Sequence, residues 1–196
     1  MLLWPLRWVL RQLISLIASF LIVGLVFLWS LRWIPFPPLP VLQGFFHGST
    51  PKWGWVGEKE QPASLIHAFQ WVERQPTRQR SPALPQRTAE LIFYPTKAST
   101  WGSSLLGALI EGLWGERRLL TFYLNSIPYD TNVYGVKAAS ECLFRKSLEK
   151  LSPEEIAELI VRRQWPYLSQ PIPTWLEPEY RRLKRHISLY QDRHAS

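Results

Sequence analysis

The residues best able to act on a ligand are cations and amides placed where a helical pattern breaks. Arg117-Arg118 leads into Leu119-Leu120-Thr121-Phe122-Tyr123-Leu124-Asn125, a polar turn with Pro128, Asp130 and Asn132 follows, and Val133-Tyr134-Gly135-Val136 opens another helix. This reads as helix, Asn-terminated break, turn, helix. Polar groups at such a break have two uses: Arg118 and Asn125 either cap the orphan backbone groups of the helix end or hold an anion. Pro76 to Arg87, PTRQRSPALPQR, reads as a proline-set loop carrying Arg78, Arg80 and Arg87, either solvated or in contact with an anion. The formal net charge of +8 suits an anionic partner: nucleic acid, anionic lipid or a lipid-linked pyrophosphate. The sequence carries no zinc-finger, RRM or homeodomain pattern, so nucleic acid is set aside.

Metal and thiol chemistry find no support in the spacing. A single cysteine, Cys142, excludes an internal disulfide and a multi-Cys metal site. Beside Leu143 and Phe144 it reads as a buried, inert thiol. His47, His67, His186 and His194 are scattered, with no zinc-ligand spacing.

These groups must be positioned by the surrounding elements. Between Arg11 and Arg32 no residue is charged, and Gln12 to Leu31 reads QLISLIASFLIVGLVFLWSL. About 20 apolar residues at a rise of about 1.5 Å cross a hydrocarbon core of about 30 Å. Bulky Trp29, Leu31, Trp33 and Phe36 stand where a signal-peptide cleavage site needs small residues. A transmembrane anchor is therefore expected over 12–31, within an anchor segment of 1–33. Arg7 and Arg11 before the span, against Arg32 after it, favour a cytoplasmic amino terminus.

Ile34 to Pro40, IPFPPLP, is expected as an extended exit opening a linker over 34–61 rich in Pro, Gly and aromatics, with a short strand at Lys52 to Val56. A globular part is expected over 62–196. In it, Leu65 to Arg74 forms a helix behind Ser64, and Thr88 to Phe93 a short helical or extended piece. Leu105, Leu106, Leu109, Ile110, Leu113 and Trp114 give the apolar face of one long helix from Ser103 or Ser104 to Leu124. Ser152-Pro153-Glu154-Glu155 is a helix start with N-cap, proline and capping-box glutamate in register. Glu177 to Arg193 reads as a final basic helix carrying Arg181, Arg182, Lys184 and Arg185, either a solvated face or one lying against anionic headgroups.

The segment Arg117 to Asn125, with Val133-Tyr134-Gly135-Val136-Lys137-Ala138-Ala139 at matching spacing, resembles the monofunctional peptidoglycan glycosyltransferases of family 51. Their pattern there is K-[KR]-R-I-L-x-x-Y-L-N followed by G-x-G-[VI]-[YF]-G. Gln86-Arg87-Thr88-Ala89-Glu90-Leu91-Ile92-Phe93 is similar to the family's Q-Q-T-A-K-N-L-F, Glu111 and Trp114 match two positions late in its long helix, and Leu151 to Leu159 is similar to its L-[ST]-x-[AS]-E-A-A-L helix. The resemblance covers about Leu84 to Pro166. It implies a mainly α, lysozyme-like domain, here shortened, that acts on lipid II. It also implies two glutamates, one a general base on the acceptor 4-hydroxyl, the other near the donor pyrophosphate. The hydroxyl's pKa lies far above 7, so a carboxylate must take its proton as it attacks the anomeric carbon. The departing pyrophosphate needs cations or amides.

Against that pattern this chain departs at the reacting groups. Phe69 and Gln70 stand where the first motif has Glu-Asp, and no His-x-Gly follows. Ser103 falls at the second glutamate and Ser99-Thr100 at the Arg-Lys before it, while Glu90 replaces a lysine. Glu73 and Glu111 are the fallback carboxylates. Gln86, Arg87, Thr88, Arg118 and Asn125 are the substrate-binding set that the resemblance implies.

The expectation is a degenerate, single-pass member of the bacterial inner membrane, its domain on the periplasmic or outer face. It would bind lipid II, a glycan strand or a cell-wall synthesis or division protein, with its own chemistry impaired. Two alternatives stand beside it: a transferase with a rearranged site, and a basic adaptor at the membrane surface. No cofactor is expected, a divalent cation being an option only for an active enzyme.

Overall fold

The computed structural model describes residues 3–30, 37–46, 48–74, 83–93, 100–165 and 170–194. The sequence expectations for Arg78, Arg80 and the first part of the Pro-rich exit lie outside these residues. The chain divides into two units, Met1–Phe36 and Pro37–Ser196. The first holds helix α1, Leu3–Ser30. Its 23-residue stretch Trp8–Ser30 is long and apolar enough to cross a membrane, with a mean hydropathy of 2.5 over its most apolar 18-residue window, and starts earlier than the expected Gln12.

The second unit is mainly α. It contains α2 (Leu39–Phe46), strand β1 (Lys52–Trp53), α3 (Ala63–Arg74), α4 (Leu84–Phe93), α5 (Thr100–Trp114) and α6 (Glu116–Ser126). Strands β2 (Pro128–Asp130) and β3 (Val133–Tyr134) follow, then α7 (Gly135–Leu143), α8 (Pro153–Arg162) and α9 (Glu177–His194). Helix α6 is the axis of the core. Leu119, Leu120, Phe122, Tyr123 and Leu124 are all buried, so α6 is enclosed on every side beyond its charged first turn. Each such leucine contributes about 2 kcal/mol of transfer free energy. Around α6 stand Leu65, Phe69 and Val72 of α3, Val136 and Ala139 of α7, Ile156 and Ile160 of α8, and Leu183 and Ile187 of α9.

Four expectations are corrected here. The single helix from Ser103 to Leu124 is two, because Gly115 adopts φ 76°, a left-handed conformation that ends α5 and starts α6. The linker over 34–61 is folded from Pro37 onward: Val41 and Val56 are buried, and β1 pairs parallel to β3, Lys52 opposite Val133 and Trp53 opposite Tyr134. The turn after Asn125 is partly strand, since β2 runs antiparallel to β3 with an irregularity between Pro128 and Asp130. In this small sheet the order is β1-β3-β2. The strand expected over Lys52 to Val56 stops at Trp53.

The start of α8 is as its sequence implies. Ser152 Oγ accepts from Glu155 N–H, and the Glu155 carboxylate accepts from Ser152 N–H. Gly135 has φ 82° and allows a close approach: a Cβ there would sit 2.7 Å from the Asn125 carbonyl oxygen. The start of α7 is thereby drawn onto the end of α6.

Candidate functional site

Helix α3 brings Phe69 and Glu73, one turn apart, onto one face. Phe69, at the position of the expected general base, is fully buried. Its ring meets Tyr123 edge-on at 5.6 Å between centroids, and the Arg163 guanidinium lies 4.9 Å above it. The site is apolar where a carboxylate was required.

Glu73 supplies a carboxylate one turn further on, and each of its oxygens accepts from a guanidinium. Arg87 Nη2 donates to Oε2 at 2.7 Å, and Arg163 Nη1 donates to Oε1. Arg87 Nη1 also donates to the Tyr123 hydroxyl at 3.3 Å. Burial works against the Arg87 charge, but Tyr123 and Glu73 outweigh it and hold its pKa above the ordinary value. Tyr129, fully buried, has a hydroxyl with no hydrogen-bond partner among the described residues. Burial first, and Tyr123 second, push its pKa upward, while Arg163 works the other way. Arg163 lies just past α8 and gave no sequence signal, because its role depends on where α8 ends against α3.

Gln86 and Arg87 sit on α4, not in the loop expected for them, since helix begins at Leu84-Pro85, with proline tolerated in the first turn. Gln86 ties α4 to α5: its Nε2 donates to Ser103 Oγ at 3.1 Å, and its Oε1 accepts from Ser104 Oγ at 3.3 Å. It reaches Glu90 as well. Ser103, at the expected second glutamate, is buried and serves this helix contact. Thr88 is buried and turns its hydroxyl to the Leu84 carbonyl at 2.9 Å, so its expected substrate contact is replaced by a local one.

Asn125 is corrected in the same way. It is fully buried. Oδ1 accepts from Val56 N–H at 2.8 Å, while Nδ2 donates to the carbonyls of Val56 (3.0 Å) and Thr121 (2.8 Å). Its main-chain carbonyl accepts from the Trp53 indole N–H at 2.9 Å. Of the two uses open to it, Asn125 fastens the backbone. Arg118 remains nearer the surface, its guanidinium 4.9 Å over the Trp55 ring. Beside it, Arg117 is exposed and loosely paired with Glu58 at 3.8 Å. Glu111 is exposed on α5, and its carboxylate has no partner among the described residues.

The histidines are less scattered than their numbers suggest. His67 stacks on His186 at 5.1 Å and on Tyr190 at 4.0 Å, Trp71 stacks on His186 at 4.4 Å, and Tyr190 stacks on His194 at 4.2 Å. They form an aromatic seam between α3 and α9. Among the described residues no group of three His, Cys, Asp or Glu is placed to hold a metal. On α9, Arg181 pairs with Glu177 and Lys184 with Glu154, so half of its expected basic face is matched by carboxylates. Exposed pairs of this kind contribute little to stability.

Comparison with known proteins places this geometry. A family model described as transglycosylase matches residues 84–191, beginning after α3 and its Phe69 and Glu73. A biosynthetic peptidoglycan transglycosylase of Shewanella frigidimarina is 36% identical over 90 residues, 41% of this chain and 39% of that protein. The protein of the same name from Shewanella denitrificans is 31% identical over 126 residues, 58% of this chain and 55% of its own length. A third, from a Marinomonas species, is 34% identical over 91 residues, 45% and 40% of the two chains. The matched part of this chain thus spans 39–55% of the length of these relatives.

Proposed function

Since the chain belongs to the transglycosylase family, we propose that it is a membrane-anchored, peptidoglycan-transglycosylase-like protein of bacterial cell-wall synthesis. It binds lipid II or a glycan strand, and its own transfer chemistry is impaired. The observation that carries this reading is Phe69, buried where the base would stand, beside a Glu73 whose two oxygens are each held by a guanidinium. Proton removal from a sugar hydroxyl needs a carboxylate lone pair free to receive it. At Glu73 a substrate hydroxyl must compete with Arg87 and Arg163, one of which already holds each oxygen.

Binding survives this loss more readily than catalysis. Arg117 and Arg118, at the start of α6, supply the cations that a diphosphate requires. Exposed apolar side chains on α2 and α5, Phe45, Phe46, Trp101 and Leu105, support work at a membrane surface. In this reading α1 spans the inner membrane with its amino terminus in the cytoplasm, the second unit lies on the periplasmic or outer face, and a cell-wall synthesis or division protein is the macromolecular partner.

Lipid II polymerisation by the purified full chain, run beside an active transglycosylase, tests the reading together with a lipid II binding assay. Saturable binding without polymer is expected. Polymer at a rate near the control would overturn it. Glu111, exposed and without a side-chain partner among the described residues, favours one second reading, a rearranged active site, in which Glu111→Gln abolishes turnover. Equal, strongly salt-dependent binding to lipid II and to any anionic lipid would instead support the surface adaptor.

A further inference from the structure

An open cleft of about 670 Å³ lies between β1 and α7, with Lys52, Trp53, Lys137, Glu141, Cys142 and Arg145 in its wall. Small-molecule sites measure about 300–1,000 Å³. None of the residues around Glu73 lines this cleft. Three cationic side chains face one carboxylate, an excess of two positive charges. Lys52, Lys137 and Arg145 form no ion pair among the described residues. Glu149 is near enough to feel Lys137, but Lys150 acts on it as well.

The wall is organised. Arg145, the residue after the α7 C-cap Phe144, has φ 54°, the one non-glycine residue with positive φ among those described, a left-handed turn of the kind that ends many helices. Just beyond it, the buried Ser140 hydroxyl donates to the Lys146 carbonyl at 2.7 Å. Trp53 is fixed by its indole bond to Asn125. Gly54 leaves room for the Lys137 stem, since a Cβ at that position would come within 3.2 Å of Lys137 Cδ. Cys142 was expected to be buried and inert. It is instead half-buried, its Sγ accepting from Lys52 Nζ at 3.6 Å.

We propose that this cleft binds a phosphoryl dianion, with Arg145 as a two-pronged donor and Lys52 and Lys137 as point charges. A phosphomonoester carries about 1.5 to 2 negative charges at neutral pH, which balances the excess in the wall. Guanidinium and ammonium groups reach tetrahedral oxygens in these two complementary ways. The phosphoryl group arrives either on a soluble compound or on a lipid whose headgroup ends in a monoester.

The lone thiol provides the readout. The full chain is placed in nanodiscs of neutral phosphatidylcholine, and alkylation of Cys142 by a small maleimide is timed against added inorganic phosphate. Saturable slowing is expected, with an affinity reduced about tenfold or more in Arg145→Gly. That variant removes the guanidinium while relieving the backbone, so misfolding does not explain its loss. Calorimetric titration of phosphate into both proteins gives the same comparison independently of thiol reactivity. A second arm replaces soluble phosphate with phosphatidic acid in the disc: protection by either source supports the site and identifies which one reaches it. The proposal is overturned if neither source protects Cys142 and no saturable heat appears. It is equally overturned if chloride at matched ionic strength protects as well, or if Arg145→Gly binds like the parent.

Discussion

Two polar clusters grip α6 two residues apart, and they are built on opposite principles. At Asn125 the groups are neutral and the partners are backbone: one buried amide serves Val56 twice and Thr121 once, with Trp53 on its carbonyl. At Tyr123 the groups are charged and the partners are side chains: Arg87, Glu73 and Arg163 converge from α4, α3 and the end of α8. The amide leaves nothing unpaired, whereas beside the charged cluster Arg163 Nε and the Tyr129 hydroxyl find no partner among the described residues. A neutral amide held by fixed backbone saturates easily. Three charged side chains and a phenol from separate elements cannot all meet ideal geometry, because each is placed by its own helix. The difference teaches that Asn125 is a fastener, while the charged cluster carries the local frustration.

The largest expected effect falls on the charged side. Glu73→Ala strands two guanidiniums, one of them with a side chain only 7% exposed, and should cost about 3 kcal/mol in chemical unfolding of the full chain in detergent. Glu73→Gln should cost less, since it keeps the shape and one acceptor. A loss within error of zero for Glu73→Ala would dissolve the contrast. Next comes Asn125→Ala, which leaves the Val56 N–H without its acceptor in the core, although the Val56 carbonyl keeps Gln61 Nε2, and should cost about 2 kcal/mol. A smaller loss for Asn125→Ala than for an exposed control would remove its role as fastener.

The smallest effect concerns acid. Burial lowers the pKa of His67, assisted by His194 and Arg74, and lowers that of His186, assisted by His67 and Arg193. An unfolded imidazole titrates near about 6.5, so as pH falls the unfolded chain takes up protons first. Stability is therefore level above that value and declines below it, until the folded imidazoles also protonate. Unfolding midpoints on either side of this pH should show the decline. His67→Phe with His186→Phe, which keeps the stacked rings, should flatten it. An unchanged slope in the double variant would assign the acid response to groups other than these two imidazoles.

Much of the fold is legible in the residues. The uncharged run before Arg32, the Ser152 to Glu155 helix start and the apolar face of α5 depend on local sequence alone, and each forms an element near where it is expected. The site is less legible. Phe69 can be counted to the base position, yet the sequence says nothing of Arg163 closing over it from ninety-four positions away. Gln86 and Arg87 look like loop because prolines precede them, but packing against α5 carries the helix back to Leu84. His67 and His186 look unrelated until α9 folds across α3.

By itself, then, the sequence determined the periodicities, caps and membrane-length helix, since these arise between residues within a turn or two of one another. The reading that Phe69 and Ser103 stand at the expected glutamate positions rests likewise on sequence alone. Only the tertiary structure decided which polar groups remain available to a ligand. It spent Asn125 and Thr88 on the backbone, locked Glu73 between two arginines, left Glu111 exposed and gathered Lys52, Lys137 and Arg145 around one cleft. Availability depends on whether a partner from a distant segment reaches the group before water or substrate does, and sequence spacing carries no information about that competition.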